Sequence, residues 1–303
     1  MKIAIAGLGR MGAQIAQKLA ENNHEVIAHN RSRGPIELAT TQGAIPAYEK
    51  TDVLKSFEDG PIILWLMLPA SVIESELDDW LKLAPAGSVF IDGGNSDFRG
   101  DKARAERASA AGSKLLDVGT SGGVWGYSNG FSMMVGGDKQ AYEQIVPVLE
   151  TLSQPTGAYR YFGESGSGHF VKMVHNAIEY GMMESLAEGY RMLKEGPYKE
   201  LDLAGAGEVW QKGSVVVSWL NELTRQALAE NPQLNGIEGV VAESGEARWT
   251  LELAKQMGVP LPAIQAAFDV RLASQKGEVN FSTKLLAAMR AKFGGHEINP
   301  DQK

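Results

Sequence analysis

Residues 2–6 (Lys-Ile-Ala-Ile-Ala) form a short apolar run that stops at Gly7-Leu8-Gly9-Arg10-Met11-Gly12. A helical pattern begins inside those glycines and runs over Arg10–Ala20. Few folds accept a strand, such a turn and a helix so close together. The first glycine permits a tight turn, and the second lets backbone approach a pyrophosphate. The third lets the helix pack close, with its N-terminus toward the negative charge. Without this setting the spacing is a weak signal, and a mere tight turn is the alternative. The segment is expected to open a dinucleotide-binding domain, with Gly7, Leu8, Gly9, Arg10, Met11 and Gly12 at the cofactor.

The alternation continues. Apolar runs at His24–His29, Pro61–Leu68, Ser88–Asp92, Lys114–Val118 and Phe131–Val135 read as strands, with an amphipathic stretch at Val72–Leu83. This spacing predicts parallel βαβ units with helices on both sheet faces. Strand signals then fade. One proline-free helical pattern runs from Gly168 to Lys194, followed by helical segments at Trp210–Glu230, Ile237–Met257, Pro262–Gln275 and Thr283–Phe293. The chain of 303 residues suits about two domains. The break falls at the glycine-rich Gly163–Gly168, giving an α/β Rossmann-type doubly wound sheet over 1–165 and an all-α domain over 166–303. A helix of about 25 residues spans nearly 40 Å, and is expected to pack on both domains or on a second subunit.

Composition narrows the function classes. There is no cysteine, which excludes disulfides, thiolate metal sites and cysteine nucleophiles. Twenty-nine basic against thirty-seven acidic residues give a net charge of −8, with no basic cluster to meet nucleic acid. No apolar run approaches the ~20 residues that cross a bilayer. The expectation is a soluble cytoplasmic protein with no nucleic-acid or membrane partner.

The end of the second strand speaks to cofactor choice. A NAD enzyme carries an acidic residue there for the ribose 2′-hydroxyl. This chain has His29-Asn30-Arg31-Ser32-Arg33, with no carboxylate to repel a 2′-phosphate and two arginines able to pair with it. NADP is therefore favoured, with NAD possible; a solvated loop is the alternative.

Two further strand ends carry polar groups between glycines: Asp92-Gly93-Gly94-Asn95-Ser96 and Asp117-Val118-Gly119-Thr120-Ser121-Gly122-Gly123. Either alone could be a structural turn. On the long helix, Lys172, His175, Asn176 and Glu179 share one face at i, i+3, i+4 and i+7, between apolar neighbours. Buried charges need partners or a ligand. A lysine and a glutamate beside a nicotinamide can act as base and acid in alcohol oxidation, whereas a structural ion pair is the bland alternative.

At these residues the chain resembles the 6-phosphogluconate dehydrogenase family in its short bacterial form, within the β-hydroxyacid dehydrogenase group. The resemblance rests on Gly7–Gly12, Asp92–Ser96, Leu116–Gly137 with Gly-Thr-Ser-Gly-Gly-Val-Trp-Gly, and Gly168–Met183 with His-Phe-Val-Lys-Met-Val-His-Asn-Ala-Ile-Glu-Tyr-Gly. It implies oxidative decarboxylation of 6-phosphogluconate to ribulose 5-phosphate, without a metal, in the pentose phosphate pathway. Lys172 would be the base at the 3-hydroxyl, Glu179 the acid that protonates C1, and Asn176 a brace for the 3-hydroxyl and nicotinamide. His175, Ser121, Gly122 and Gly123 would grip the sugar acid, with Asn95 between cofactor and substrate. Tyr180, Arg248 and Thr250 resemble phosphate-binding positions. Asn30, Arg31 and Ser32 match the family's 2′-phosphate segment, and Leu68 a cofactor contact.

The tail Arg290-Ala291-Lys292-Phe293-Gly294-Gly295-His296 resembles a segment whose arginine and histidine enter the neighbouring subunit's site, in a homodimer or dimer of dimers. The chain departs from the family pattern at three places. Ala177 replaces a glycine, Leu68-Pro69-Ala70 stands where long forms have Val-Lys-Ala, and Arg248 replaces a lysine. Two rival readings remain: a relative acting on a non-phosphorylated hydroxy acid, and a non-catalytic NADP-binding regulatory protein.

Overall fold

A computed structural model describes residues 1–295. They form two compact units, divided at Met173/Val174. The first holds an eight-stranded sheet in the order β3-β2-β1-β4-β5-β6-β7-β8. The strands are β1 (Lys2–Ala6), β2 (Glu25–His29), β3 (Ile45–Ala47), β4 (Ile63–Leu66), β5 (Val89–Asp92), β6 (Lys114–Ser121), β7 (Ser132–Gly137) and β8 (Tyr159–Gly163). Around it lie α1 (Arg10–Glu21), α2 (Arg33–Thr41), α3 (Lys50–Ser56), α4 (Ile73–Leu83), α5 (Asp101–Ala110), the one-turn α6 (Gly126–Asn129) and α7 (Lys139–Ser153). The chain order reverses between β1 and β4, the point at which open α/β sheets bind ligands.

The apolar runs are unbroken because the sheet is buried on both faces. Ile3 and Ile5 of β1 pack on one side with Ile15 and Leu19 of α1 and Ile145 and Leu149 of α7. Ala4 and Ala6 face the other side, with Val53 of α3, Leu77 and Trp80 of α4, and Ala108 of α5. One expectation fails. The strand at 132–137 does not continue the parallel pattern: β7 runs antiparallel to β6. A parallel neighbour needs a crossover of a dozen or more residues, and the stretch from Gly122 to Phe131 holds only short turns.

The long helix α8 is unbroken from Ser167 to Glu195. Its first turns belong to the sheet unit and the remainder to the helical unit. The helical unit adds α9 (Leu203–Trp210), α10 (Trp219–Glu230), α11 (Glu246–Met257), α12 (Pro262–Ser274) and α13 (Phe281–Gly294). Buried Ala177, Tyr180, Met183, Ala187 and Tyr190 follow the helical period along α8. Ala177 and Tyr180 pack with Ala247 of α11 and Phe268 of α12. Met183, Ala187 and Tyr190 pack with Leu203, Leu228, Leu285, Leu286 and Met289 from α9, α10 and α13. Buried Asn221 ties three helices, accepting the Tyr190 hydroxyl at 2.9 Å and donating to the Gly207 carbonyl at 3.1 Å.

Two helical expectations were too long. Residues 211–218 separate α9 from α10, and α11 begins at Glu246 because Gly239 and Gly245 take φ of +84° and +103°. The expected Thr283–Phe293 helix starts two residues earlier, where the Asn280 side chain accepts the N–H groups of Ser282 and Thr283. Replacing Asn280 with alanine orphans both donors. It should lower stability by about 0.5–2 kcal/mol, read by chemical denaturation.

Candidate active site

The C-terminal ends of β1, β4 and β5 converge. Gly7 turns the chain at φ +96°, and a Cβ there would stand 2.4 Å from the Met67 carbonyl oxygen. A Cβ on Gly12 would stand 1.9 Å from the Gly7 carbonyl oxygen, so α1 seats directly on the loop. No side chain caps the first turn of α1 at Gly9. This close, glycine-lined cradle at a helix N-terminus fits a dinucleotide pyrophosphate. Leu68 lies half-buried beside it, and a Cβ on Gly94 would meet the Leu68 carbonyl oxygen at 2.4 Å. Asn95 follows, exposed.

Asn30 is committed to the loop, accepting the Leu8 N–H at 3.0 Å and donating to the Ser32 hydroxyl at 2.9 Å. Arg31, Ser32 and Arg33 are exposed beyond it, with the Arg33 guanidinium 5.3 Å from the Tyr48 ring. The Ser121-Gly122-Gly123 turn is anchored to α1 from behind. Gln14 donates to the Val124 carbonyl at 3.0 Å, and the buried Lys18 ammonium donates to the carbonyls of Tyr127 at 2.9 Å, Gly126 and Gln154.

Lys172 is half-buried and lies across β6. A Cβ on Gly119 would stand 2.2 Å from the Lys172 Cβ, so only glycine lets the lysine stem lie there. Gly168 meets the sheet as closely, with its Cβ position 2.5 Å from the Asp117 carbonyl oxygen. The sheet unit thus collects the glycine loop, Asn30, Leu68, Asn95, the Ser121 turn and Lys172.

The helical unit collects the rest of the α8 face. The Asn176 amide donates to Glu246, whose side chain is buried on α11, and His175 Nδ1 lies 3.0 Å from Asn176 Oδ1. Tyr180 is buried, its hydroxyl accepting the Ser244 N–H at 3.3 Å. Over its ring, 3.3 Å from the centroid, lies the guanidinium of Arg271.

Arg271 was not among the sequence candidates. It is 2% exposed, and burial pushes its guanidinium down to about 10 against the charges of Glu179 and Glu184, so it stays protonated at neutral pH. Its signal is its position one turn after buried Ala267 and Phe268, on the inward stripe of α12. Arg290 is also buried, and burial lowers it while Tyr180, Glu179 and Glu246 hold it up. The resemblance sends Arg290 into a neighbouring subunit. Within this chain it follows Leu285, Leu286 and Met289 on α13, which are buried in the helical unit. His296 lies outside the described residues.

Arg248 is exposed and engaged by Glu243, with Nη2–Oε1 at 2.6 Å. Thr250 is buried, its hydroxyl donating to the Glu246 carbonyl. Among the described residues no helix is long and apolar enough to cross a membrane.

The whole chain finds counterparts among known proteins. Residues 2–163 match the NAD-binding domain of 6-phosphogluconate dehydrogenase, and residues 168–301 match that enzyme's C-terminal domain. A Haloferax volcanii protein named 6-phosphogluconate dehydrogenase, NAD(+)-dependent, decarboxylating, is 38% identical over 300 residues, covering 98% of each chain. The solved Plasmodium falciparum 6-phosphogluconate dehydrogenase superposes with a TM-score of 0.83 at 26% identity, covering all of this chain and 67% of that one. A Mycobacterium tuberculosis 3-hydroxyisobutyrate dehydrogenase shares the fold, with a TM-score of 0.72 at 22% identity over 94% of this chain and 97% of that one. With both domain models matched in order and a relative aligned end to end, the chain belongs to the 6-phosphogluconate dehydrogenase family.

Proposed function

We propose that the chain oxidises and decarboxylates 6-phosphogluconate to ribulose 5-phosphate and CO2. The observation that supports this reading is the seating of the Lys172 stem over Gly119 of β6, in the sheet unit that also holds the glycine loop. In this role Lys172 takes the 3-hydroxyl proton. A bound nicotinamide supplies the acceptor for the C3 hydride. The resulting 3-keto acid loses CO2 because its carbonyl takes up the electron pair, and Glu179 returns a proton to C1 of the enediol. Asn176 holds the 3-hydroxyl and Asn95 separates cofactor from sugar. Ser121, Gly122, Gly123 and His175 bind the sugar acid.

For the phosphate, Arg271 and Arg290 join Tyr180 and Thr250, because desolvated guanidinium groups suit a dianion. Arg248 contributes once Glu243 releases it. The resemblance supports a homodimer, or a dimer of dimers, whose tail brings His296 to the neighbouring site. NADP is the cofactor favoured by Arg31 and Arg33, and relatives' names include both NAD(+) and NADP(+) enzymes.

The direct test is absorbance of the reduced cofactor with 6-phosphogluconate against gluconate. Turnover of gluconate or a small hydroxy acid in its place would move the chain to the non-phosphorylated branch. Lys172→Met should lower kcat by ~10²–10⁴-fold with little change in KM, and near-normal turnover would refute the base.

Arg31→Ala should raise the KM for NADP about ten- to a hundredfold and leave that for NAD nearly unchanged. Equal losses with both cofactors would make the loop structural. Arg271→Lys keeps charge but loses the planar fork and the stack on Tyr180. It should raise the KM for 6-phosphogluconate about tenfold while kcat changes little. An unchanged KM would remove Arg271 from the phosphate site.

A further inference from the structure

Beneath the β5 loop lies a set of buried ionisable side chains to which the reaction assigns no role. Asp92, Asp101, Arg104 and His169 are each 3% exposed or less. Asp92, the last residue of β5, accepts the Gly94 N–H at 3.1 Å with one oxygen and the Ser96 hydroxyl at 2.7 Å with the other. It therefore grips the loop on both sides of Asn95. Arg104 on α5 brings Nε to 3.9 Å from Asp92 Oδ2 and donates from Nη2 to Asp101 Oδ1 at 2.7 Å. Asp101 turns its second oxygen to His169 Nδ1, 2.8 Å away.

His169 lies in the first turn of α8, three residues before Lys172, and its backbone N–H donates to Asp117 Oδ2 at 3.0 Å. Among the described residues its Nε2 has no hydrogen-bond partner, so Asp101 sets the ring's orientation. Burial alone would push the imidazole down. The Asp101 hydrogen bond and the charges of Asp92, Asp101 and Asp117 outweigh it and raise the group to about 9.

Asp92, Asp101 and His169 present ligand atoms within 4.8 Å of one another, a grouping that could also suit a metal ion. Arg104 decides against that reading, since its guanidinium already supplies the cation between the two carboxylates. The hydrogen bonds and the 3.9 Å Arg104–Asp92 ion pair together form a continuous path from the Asn95 loop to the turn of α8 that leads into Lys172.

We propose that His169 is a positioning residue, which through Asp101, Arg104 and Asp92 fixes the Lys172 turn of α8 against the loop that carries Asn95. The inference rests on the roles given above to Lys172 and Asn95. Misplacing reacting groups by about 1 Å costs on the order of 10²-fold in rate without weakening binding equally. The signature is therefore a loss in kcat at constant KM.

The test compares Ser96→Ala, His169→Leu, their double variant and His169→Gln. It reads kcat, KM for 6-phosphogluconate and for NADP, and melting temperature. Ser96→Ala removes one oxygen from a residue outside the reacting groups, and should cut kcat about tenfold with both KM values within about threefold of the parent. His169→Leu should cut kcat about 10–100-fold, and His169→Gln, which keeps a donor for Asp101, should recover most of that loss. Because the two ends act through one path, the double variant should be no slower than His169→Leu alone.

Normal kcat in Ser96→Ala overturns the proposal, even if His169→Leu fails to fold. So do losses that multiply in the double variant, or a fall in kcat matched by equal rises in both KM values. A parent chain that does not oxidise 6-phosphogluconate would instead remove the functional reading, and only variants of an active parent speak to the path.

Discussion

A single buried carboxylate joins the sheet to the long helix that carries Lys172. Asp117 sits on β6, 1% exposed, and accepts the N–H of Gly166 at 2.8 Å and of His169 at 3.0 Å. The first N–H groups of any helix lack intrahelical partners, and the helix N-terminus favours negative charge. Burial and the charge of Asp101 raise the Asp117 carboxyl above its ordinary value, against the pull of His169 and the two N–H bonds toward the anion. The same contact therefore satisfies the helix end and stabilises the anion. Without it, two donors would be stranded in a dry interior at about 1–3 kcal/mol each. The entry point of α8 is thereby fixed on β6, and with it the height at which Lys172 crosses the sheet.

Close approach completes what the carboxylate begins. Gly119 and Gly168 remove the two side chains that would otherwise hold α8 away from β6. Asp92 is the register partner of Asp117 on the neighbouring strand, so two buried acids stand side by side at the sheet's C-terminal edge. Like charges this close are tolerable only with cations between them, and Arg104 and His169 supply the compensation. The ionic layer under the site follows from putting an acid at the end of β5 and another at its register partner within β6.

The fold was legible where burial is apolar. β1, β4, β5 and β6 announce themselves because both of their faces are covered. The glycine loop is readable because pyrophosphate binding demands glycine at fixed intervals. Legibility ends where the inward face is ionic or the element is at an edge. α5 buries Asp101, Arg104 and Ala108, so no apolar stripe marks it. β3 is a three-residue edge strand containing a proline, with Ile45 and Pro46 exposed. The candidate site divides in the same way. Lys172, Asn176 and Glu179 stand out as polar residues at helical spacing, whereas Arg271 hides within an alanine-rich helix. The destination of Arg290 depends on the packing of α13, which the local sequence does not specify.

The helical unit poses the opposite electrostatic problem from the sheet. Arg271 and Arg290 are both buried, and the charge of Arg290 is among the causes that lower Arg271. The ring of Tyr180 takes one face of the Arg271 guanidinium, and Glu179, Glu184 and Glu246 oppose the positive charge from α8 and α11. Burial pushes Glu184 up to about 7 despite Arg271, so near neutrality this carboxyl is only partly ionised and offsets only part of the arginine charge. Two desolvated arginines with incomplete compensation are costly in the free protein, and an anion with several acceptor oxygens relieves that cost. An unphosphorylated hydroxy acid brings only its carboxylate, without the phosphate's further charge and acceptor oxygens. The same burial that makes Arg271 invisible to a pattern search thus favours a phosphorylated substrate over its unphosphorylated counterpart.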